Sequence, residues 1–201
     1  MIEIKNCPVC NNSNFSNHIE SKDFSVSKES FMIVRCNECN FHFTNPRPSD
    51  EDLGKYYISD HYISHNNTSR TIFEKIYQLV RKFATNGKFS LISSLFSSGR
   101  ILDVGCGTGD FLNKCKSKNW ETKGIEPSEI ARDQAINNYN LDVEESTDLS
   151  QLEGKFDIIT MWHVLEHVPN LNETLVQFNQ LLSKNGKIII AVPNLESYDA
   201  K

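Results

Sequence analysis

Short apolar runs alternate with amphipathic segments along the second half of the chain. The apolar runs have the length and β-branched content of buried strands, whereas the segments between them repeat apolar positions at helical spacing. Such alternation predicts an α/β fold with a doubly wound, mostly parallel sheet and helices on both faces. The predicted strands cover residues 100–104, 121–126, 141–144, 156–161 and 187–192, and the predicted helices cover 109–118, 128–138 and 171–183, with Gly186 as the last stop signal.

A further amphipathic helix is predicted ahead of this sheet. Its apolar residues recur at i, i+4, i+7, i+8 and i+11, which marks one helical face. These residues are Ile72, Ile76, Leu79, Val80 and Phe83. The helix leads into the main domain, which we expect to cover residues 98–201.

The beginning of the chain carries two Cys-x-x-Cys knuckles, Cys7 with Cys10 and Cys36 with Cys39. Four thiolates at this spacing complete a tetrahedral Zn²⁺ site and leave no open position, so we expect structural zinc. Residues 1–45 therefore predict a zinc ribbon that needs its metal to fold, with a strand over 31–35. A redox role is disfavoured because neither knuckle opens a helix after a strand.

Residues 46–97 are interpreted as a linker and lid helices. The run Asn45-Pro46-Arg47-Pro48 predicts a stiff exit from the ribbon, and Ser49 is placed as a helix cap. Polar aromatic residues follow, including Tyr56, Tyr57 and His61. They are interpreted as a lid or a substrate wall, with tyrosines packed at a domain seam as the alternative.

Composition narrows the classes of function. The chain has 201 residues, of which 38% are hydrophobic and 23% charged, and its net charge is −5. It has no apolar run of the roughly 20 residues that span a bilayer and no signal pattern at its start, so a cytoplasmic protein without a membrane partner is expected. A reducing cytosol also favours metal over disulfides. The net charge and the absence of a basic stripe argue against a nucleic-acid partner.

The densest glycine cluster follows the first strand of the predicted sheet. Gly105, Gly107 and Gly109 allow backbone at positive φ and the close approach of a ligand at a helix N-terminus. Glu126 ends the next strand, and its carboxylate can accept from both hydroxyls of a ribose. Together these residues predict a nucleotide site.

The charges around the glycines favour a cationic ligand. Asp103 and Asp110 flank the turn, and no basic residue is evident beside it, so a pyrophosphate would meet two carboxylates. A dinucleotide-binding variant and a tight turn that binds nothing are the alternatives.

The run from Asp103 to Gly109 resembles the first motif of the Rossmann-like, class I S-adenosylmethionine-dependent methyltransferases. The resemblance implies that Asp103 and the backbone of the turn, including Cys106, face the methionyl ammonium and carboxylate. It also implies that Glu126, next to Pro127, holds the ribose. An acid after the third strand would meet the adenine, and Glu145 and Asp148 are both candidates.

In this family the loop after the fourth strand approaches the methyl group and the acceptor. Here the loop begins Met161-Trp162-His163, which the resemblance makes cofactor-binding residues. The expected reaction is in-line displacement at the methyl carbon, with His163, Tyr56, Tyr57 and His61 as candidate bases.

The same loop also contains an inverted zinc-protease motif, His-x-x-Glu-His, in His163, Glu166 and His167. Pro169 leaves little room for a helix and no third ligand is evident, so a metalloprotease is disfavoured.

Taken together, the ribbon, the proline-rich exit, the tyrosine-rich segment and the core resemble bacterial zinc-ribbon methyltransferases that act on sugars and other small molecules. A small-molecule acceptor is therefore expected. The alternatives are an RNA methyltransferase that uses the ribbon to hold its substrate and a non-catalytic cofactor-binding module.

The family usually has two further strands after the last one predicted here. The sequence therefore resembles the cofactor-binding part of the fold cut short. The alternative is a shortened protein that covers its open sheet edge in a homodimer.

Overall fold

The computed structural model describes residues 1–24, 26–56, 72–145 and 149–198, and these residues form two compact units. The first unit contains the described residues up to Tyr56 together with Pro169–Asn172. The second contains the described residues from Ile72 to Val168 and from Glu173 onward.

The first unit is built on a three-stranded antiparallel sheet with the order β1-β2-β3. Its strands are β1 (Phe15–Lys22), β2 (Ser30–Cys36) and β3 (His42–Thr44). The strand predicted over 31–35 is confirmed within β2. Among the described residues of this unit, the buried hydrophobic ones are Cys7, Val34 and Cys36. So small an apolar core is typical of a unit that needs a cross-link to be stable.

The α-helix predicted to start at Ser49 is wrong for the described residues. The Ser49 carbonyl accepts from the amides of Asp52 and Leu53, and only a short 3₁₀ helix, Leu53–Tyr56, follows. The Ser49 hydroxyl donates to the Asp52 carboxylate at 2.6 Å. Ser49 therefore closes a turn instead of capping a longer helix.

The second unit is a five-stranded parallel sheet with the order β6-β5-β4-β7-β8, which confirms the predicted α/β class. Its strands are β4 (Arg100–Val104), β5 (Glu121–Ile125), β6 (Val143–Glu144), β7 (Phe156–Trp162) and β8 (Leu182–Ala191). Its helices are α1 (Ile72–Leu95), α2 (Asp110–Lys116), α3 (Glu129–Tyr139) and α4 (Leu171–Leu181). The chain leaves β4 toward β5 on one side and returns to β7 on the other, so a ligand crevice is expected at the carboxyl end of β4.

Alternate residues of the central strands supply two separate apolar layers. Ile101 and Ile158 belong to the layer that also contains Ile92 of α1 and Phe111 of α2. The next residue of β4, Leu102, belongs to the opposite layer, with Phe178 of α4. This two-residue period places Asp103, two positions after Ile101, on the side of the sheet that α1 and α2 cover.

The predicted end of the last helix at Gly186 is wrong. The helix ends at Leu181, and β8 begins directly at Leu182. Pairing between β7 and β8 jumps from Phe156↔Leu182 to Ile158↔Lys187, so the residues between form an irregularity inside the strand. A Cβ on Gly186 would lie 2.9 Å from the Phe156 carbonyl oxygen, which shows that a close approach between the strands requires the glycine.

The helix predicted from its apolar face is confirmed as α1, but the side chains of that face that the structure describes are largely exposed. Ile76, Leu79, Val80 and Phe83 are 55–80% exposed. The later part of the helix makes the core contact, where Ile92 is fully buried. In the described part of the chain, none of the helices has the combination of length and apolar composition that a bilayer-spanning segment requires.

Candidate functional site

The glycine turn after β4 is fixed to the end of β5. The amides of Gly105 and Cys106 both donate to the Ile125 carbonyl, at 2.8 and 3.0 Å. Gly105 and Gly107 have φ values of 71° and 56°. A Cβ on Gly105 would lie 2.4 Å from a Val164 methyl group, whereas a Cβ on Gly107 would meet no atom within 4 Å. Gly105 therefore packs against the loop after β7, and Gly107 presents bare backbone to open space.

Glu126 lies beside this turn and is only 4% exposed. One carboxylate oxygen accepts from the Gly107 amide at 2.8 Å, and the other accepts from the Ser128 amide at 2.9 Å. Each oxygen retains a lone pair, so the carboxylate can still accept from the hydroxyls of a ligand. Pro127 is exposed, and its carbonyl accepts from Arg132.

Asp103 is buried at the carboxyl end of β4, with 2% of its surface exposed. The Thr160 hydroxyl donates to its carboxylate at 2.6 Å. Burial raises the pKa of Asp103 to about 7, while the bond from Thr160 and the charge of Lys88 act in the opposite direction. A carboxyl group with a pKa of about 7 is only about half ionised at neutral pH, so small changes in its surroundings alter its charge.

Helix α1 adds two cations to this edge of the sheet, and sequence analysis missed both. The ammonium group of Lys88 lies 4.7 Å from the centre of the Trp162 ring. Arg81, about two helical turns earlier, donates to the Thr108 hydroxyl and the Asp110 carboxylate. The only sequence signal for this role is the spacing that places both cations on one side of the helix.

The Arg81 contact corrects an assumption about charge at the turn. The sequence gives no sign of a basic residue beside Asp110, but its carboxylate forms an ion pair with Arg81. The Tyr139 hydroxyl also donates to Asp110, at 2.8 Å. The negative charge left for a ligand therefore comes from Asp103 and Glu126.

The residues predicted after β7 differ in exposure. Met161 is fully buried and belongs to the apolar layer that contains Leu102. Trp162 is half-buried, and its ring makes an edge contact with Phe111, with 5.5 Å between the ring centres. His163 has a φ of 60°, its amide donates to the Ala191 carbonyl, and 63% of its side chain is exposed. Trp162 packs against the layer that contains Ile101, so of these three residues His163 is the one with a mostly exposed side chain.

The His-x-x-Glu-His run does not form a metal site within the described residues. Leu165–His167 is a short 3₁₀ helix, so the two histidines do not share an α-helical face. The His163 ring lies 3.8 Å from a Glu166 carboxylate oxygen. The metal-binding groups found in the described residues do not include these side chains, so the metalloprotease alternative has no support.

Of the two residues predicted to contact the adenine, the structure describes Glu145. Glu145 is exposed, and its carboxylate lies 3.4 Å from the Arg132 guanidinium. Asp148 lies outside the described residues.

Of the base candidates in the tyrosine-rich segment, the structure describes Tyr56, which lies in the first unit. The Tyr56 hydroxyl donates to the Glu29 carboxylate at 2.8 Å, and this bond raises the pKa of Tyr56. A raised pKa makes the phenolate harder to form, which disfavours Tyr56 as a base. Tyr57 and His61 lie outside the described residues.

The four cysteines of the first unit form one cluster, in which all sulfur atoms lie within 4.8 Å of one another. The Cys7 and Cys39 sulfurs are 3.6 Å apart, and the Cys10 and Cys36 sulfurs are 3.5 Å apart. Bonds of about 2.3 Å from a tetrahedral Zn²⁺ place its sulfur ligands about 3.8 Å apart, so the cluster fits that ion.

The two knuckles have the same backbone turn. The amide of Asn11 donates to the Cys7 carbonyl, and the amide of Asn40 donates to the Cys36 carbonyl. Both asparagines have positive φ, at 61° and 60°. The remaining cysteines, Cys106 and Cys115, are free thiols in the second unit.

Comparison with curated proteins finds partial matches. The sequence is 29% identical over 105 residues to a ubiquinone biosynthesis O-methyltransferase from Dechloromonas aromatica (strain RCB), which covers 47% of this chain and 44% of that protein. It is 30% identical over 111 residues to an uncharacterized methyltransferase from Bacillus thuringiensis (strain Al Hakam), which covers 52% and 51%. The chain therefore spans about half the length of these relatives.

Solved structures share the fold. The plantazolicin methyltransferase BpumL, in complex with a pentazolic desmethylPZN analog and SAH, matches with a TM-score of 0.51 at 24% identity, over 60% of this chain and 50% of that chain. Magnesium protoporphyrin IX methyltransferase (ChlM) from Synechocystis PCC 6803, with bound SAM, matches with a TM-score of 0.52 at 18% identity, over 70% and 75%. At these identities the likeness concerns the fold.

The family described as "Methyltransferase domain" matches residues 65–201, which is most of the chain. The fold and the glycine motif agree with that match. The chain thus belongs to the methyltransferase-domain family.

Proposed function

We propose that this protein binds S-adenosylmethionine at the carboxyl edge of β4, β5 and β7 and transfers its methyl group to a small-molecule acceptor. The observation that carries the proposal is the bridge between the Glu126 carboxylate and the Gly107 amide. This bridge supports the proposal, because it holds the Glu126 carboxylate, our candidate for the ribose hydroxyls, beside bare backbone that a ligand can approach.

The charge of the site supports a cationic donor. Asp103 and Glu126 are both nearly fully buried acids, whereas Asp110 is paired with Arg81. The sulfonium and the ammonium group of S-adenosylmethionine would be attracted by these acids, and a pyrophosphate would be repelled. In this proposal Asp103 receives the methionyl ammonium and Glu126 receives the ribose hydroxyls.

Methyl transfer needs little chemistry from the protein beyond positioning. The sulfonium sulfur is a good leaving group, so an acceptor oxygen held in line with the S–CH₃ bond attacks the methyl carbon. A C–O bond forms as the C–S bond breaks, and the electron pair of the broken bond stays on the sulfur of S-adenosylhomocysteine. A hydroxyl acceptor also needs its proton removed. His163 is our candidate for this step, because its exposed ring stands at the end of β7 and lies close to Glu166.

The acceptor is proposed to be a small molecule with a hydroxyl group, of which sugars and phenolic intermediates are examples. The name of the Dechloromonas relative supports O-methylation. The net charge of −5 supports a small molecule over RNA as substrate. We place the enzyme in the cytoplasm, as a monomer or homodimer.

The four cysteines of the first unit are proposed to hold Zn²⁺. The metal would supply the cross-link that a sheet with so few buried apolar residues lacks. Four thiolates leave no position for a substrate, so this zinc has a structural role.

Calorimetry with S-adenosylmethionine and with NADH tests the donor. We expect binding of the former only, and we expect Glu126→Gln to weaken it by about 1.5–3 kcal/mol, the value of hydrogen bonds to a charged group. Glu129→Gln, at an exposed position three residues later, is the matched control and should bind normally. Binding of NADH instead would overturn the assignment.

Transfer of a radiolabelled methyl group to a pool of small hydroxyl compounds tests the reaction. Label in the small-molecule fraction supports the proposal. Label in RNA only, or tight cofactor binding without any transfer, would contradict it and favour the RNA methyltransferase or the non-catalytic module.

A further inference from the structure

Lys88 is a half-buried lysine at the carboxyl edge of the sheet. Its ammonium group lies over the ring of Trp162, the last residue of β7, at 4.7 Å from the ring centre. Among the described residues, no side chain or carbonyl accepts a hydrogen bond from it. Burial lowers the pKa of Lys88, and the attraction of Asp103 opposes this effect. Thr160 pairs with Asp103 across the two strands, and Trp162 lies two residues beyond Thr160, so the Trp162 ring and Asp103 share one face of the sheet. The lysine is therefore held on the face that carries Asp103 by an aromatic ring and not by an ion pair at contact distance.

The groups that face Asp103 come from five elements. Thr160 of β7 donates a hydrogen bond to it, and Glu126 at the end of β5 repels its charge. Cys106 of the glycine turn and Cys115 of α2 interact with it electrostatically, but burial raises the pKa of both thiols far above neutrality, so both are uncharged. Lys88 of α1 is the cation that faces Asp103 within the described part of the chain.

We propose that Lys88 is a positioning residue of the cofactor site, whose charge on the Trp162 ring favours the ionised form of Asp103, the form that can receive the methionyl ammonium group. This inference rests on the proposed function for the identity of the ligand. The linkage between Lys88 and Asp103 is a property of the protein itself.

Asp103 needs a nearby cation to favour its charged form. A carboxyl group that is 2% exposed and close to the Glu126 carboxylate loses its charge readily, because burial and a like charge both favour the protonated form. A protonated Asp103 would not attract an ammonium group. Since the pKa of Asp103 is about 7 with Lys88 present, loss of Lys88 would leave the acid mostly neutral at physiological pH.

The position of Lys88 is fixed from a second point on the same helix. Arg81 binds Thr108 and Asp110 beside the glycine turn, about two turns before Lys88. The Trp162 ring, over which Lys88 lies, packs against Phe111. Helix α1 therefore presents the charge in a defined register and not on a free surface.

The first test measures the titration of Asp103 in the ligand-free protein by ¹³C NMR of labelled aspartate carboxyl groups, assigned with Asp103→Asn. We expect Lys88→Met to raise the midpoint by about one pH unit or more, in line with the loss of a nearby opposite charge. Lys88→Arg should preserve the midpoint, and so should Lys82→Met, which removes an exposed lysine from the same helix. An unchanged midpoint in Lys88→Met would overturn the proposal. Lys88→Gln is the second variant if Lys88→Met does not fold.

The second test follows the affinity for S-adenosylmethionine between pH 6 and pH 9. Lys88→Met should lose about fivefold at pH 7 for a shift of the Asp103 midpoint from about 7 to about 8, and it should recover most of this loss at pH 9. An equal loss at every pH would mean that Lys88 only supports the structure, and would also overturn the proposal. If the unaltered protein does not bind S-adenosylmethionine at all, the proposed function fails, whereas the NMR titration still decides the linkage.

Discussion

The Thr160 hydroxyl donates a 2.6 Å hydrogen bond to the Asp103 carboxylate across the two central strands of the sheet. Because Thr160 is fully buried, no water replaces this bond when the hydroxyl is removed. We predict that Thr160→Val, which keeps the shape, raises the pKa of Asp103 and weakens S-adenosylmethionine binding near pH 7 by about 1.5–3 kcal/mol. Calorimetry measures the effect. Thr122→Val in β5 is the control, and equal affinities of the two variants would refute the prediction.

Asp103→Asn should stabilise the ligand-free protein at high pH. The folded-state pKa of about 7 lies above the ordinary value of 3.8, so between these pH values the folded state binds more protons than the unfolded state. The stability of the unaltered protein therefore falls as pH rises from about 4 to about 7, by an amount on the order of 4 kcal/mol. The stability of Asp103→Asn should not fall with rising pH in this way.

Denaturant unfolding of both proteins from pH 4 to pH 8 checks this prediction. The advantage of Asp103→Asn should grow with pH and level off above about 7, while the variant loses affinity for S-adenosylmethionine. Parallel stability curves would show that the acid does not titrate as described.

Two glycine substitutions should separate stability from binding. Gly105→Ala places a methyl group 2.4 Å from Val164 at a positive φ, so it should destabilise the fold by more than the ~1–2 kcal/mol of left-handed backbone alone. The methyl group added by Gly107→Ala meets no protein atom, so this variant should lose only the stability that left-handed backbone costs. It should nevertheless reduce cofactor affinity strongly. Thermal unfolding and calorimetry measure the two effects, and an alanine at Gly107 that binds normally would place the ligand elsewhere.

Arg81→Met should loosen the contact between α1 and the glycine turn. Within the described part of the chain, the substitution leaves Asp110 with the Tyr139 and Thr108 hydroxyls as its partners, and we expect a loss of about 1–2 kcal/mol in the free energy of unfolding. Cofactor affinity should fall as well, because the turn is less well fixed. Lys82→Met is the control on the next, exposed position of α1. Matching stabilities of the two variants would show that the ion pair contributes nothing.

Removal of metal should affect the two units differently. A chelator, or Cys36→Ser, should abolish the bound zinc and the hydrogen-exchange protection of β1, β2 and β3, since the described residues of this unit bury little besides their cysteines. The two apolar layers of the second unit contain none of these residues and should persist. Elemental analysis measures the metal, with Cys115→Ala as a control that retains it. Full protection of β1–β3 without metal would contradict the prediction.

The parts of the fold that depend on local pattern could be predicted from the sequence. The strand Arg100–Val104 has its predicted bounds because alternating Ile101 and Leu102 serve two different apolar layers. Gly186 was misread because its role depends on the Phe156 carbonyl of a neighbouring strand, which a local stop signal does not contain. The exposure of Phe83 shows that an apolar face identifies a helix without identifying what it packs against.

The residues of the candidate site divide in the same way, into those that a local sequence pattern reveals and those that only packing brings together. Glu126 was recognisable from its place after a strand, and Asp103 from its place before the glycines. Arg81 and Lys88 were not, because their partners Asp110 and Trp162 are brought to them only by the packing of α1 on the sheet. The cluster of four cysteines, in contrast, was recognisable from its two Cys-x-x-Cys spacings.

The bridge from Glu126 to Gly107 and Ser128 has a consequence for how fast a ligand binds. With both carboxylate oxygens already anchored, the recognition surface is preorganised, so little conformational entropy is lost on association. We therefore expect the ligand to bind in a single kinetic step, with an association rate that varies little among variants. Differences in affinity should then arise almost entirely from the dissociation rate.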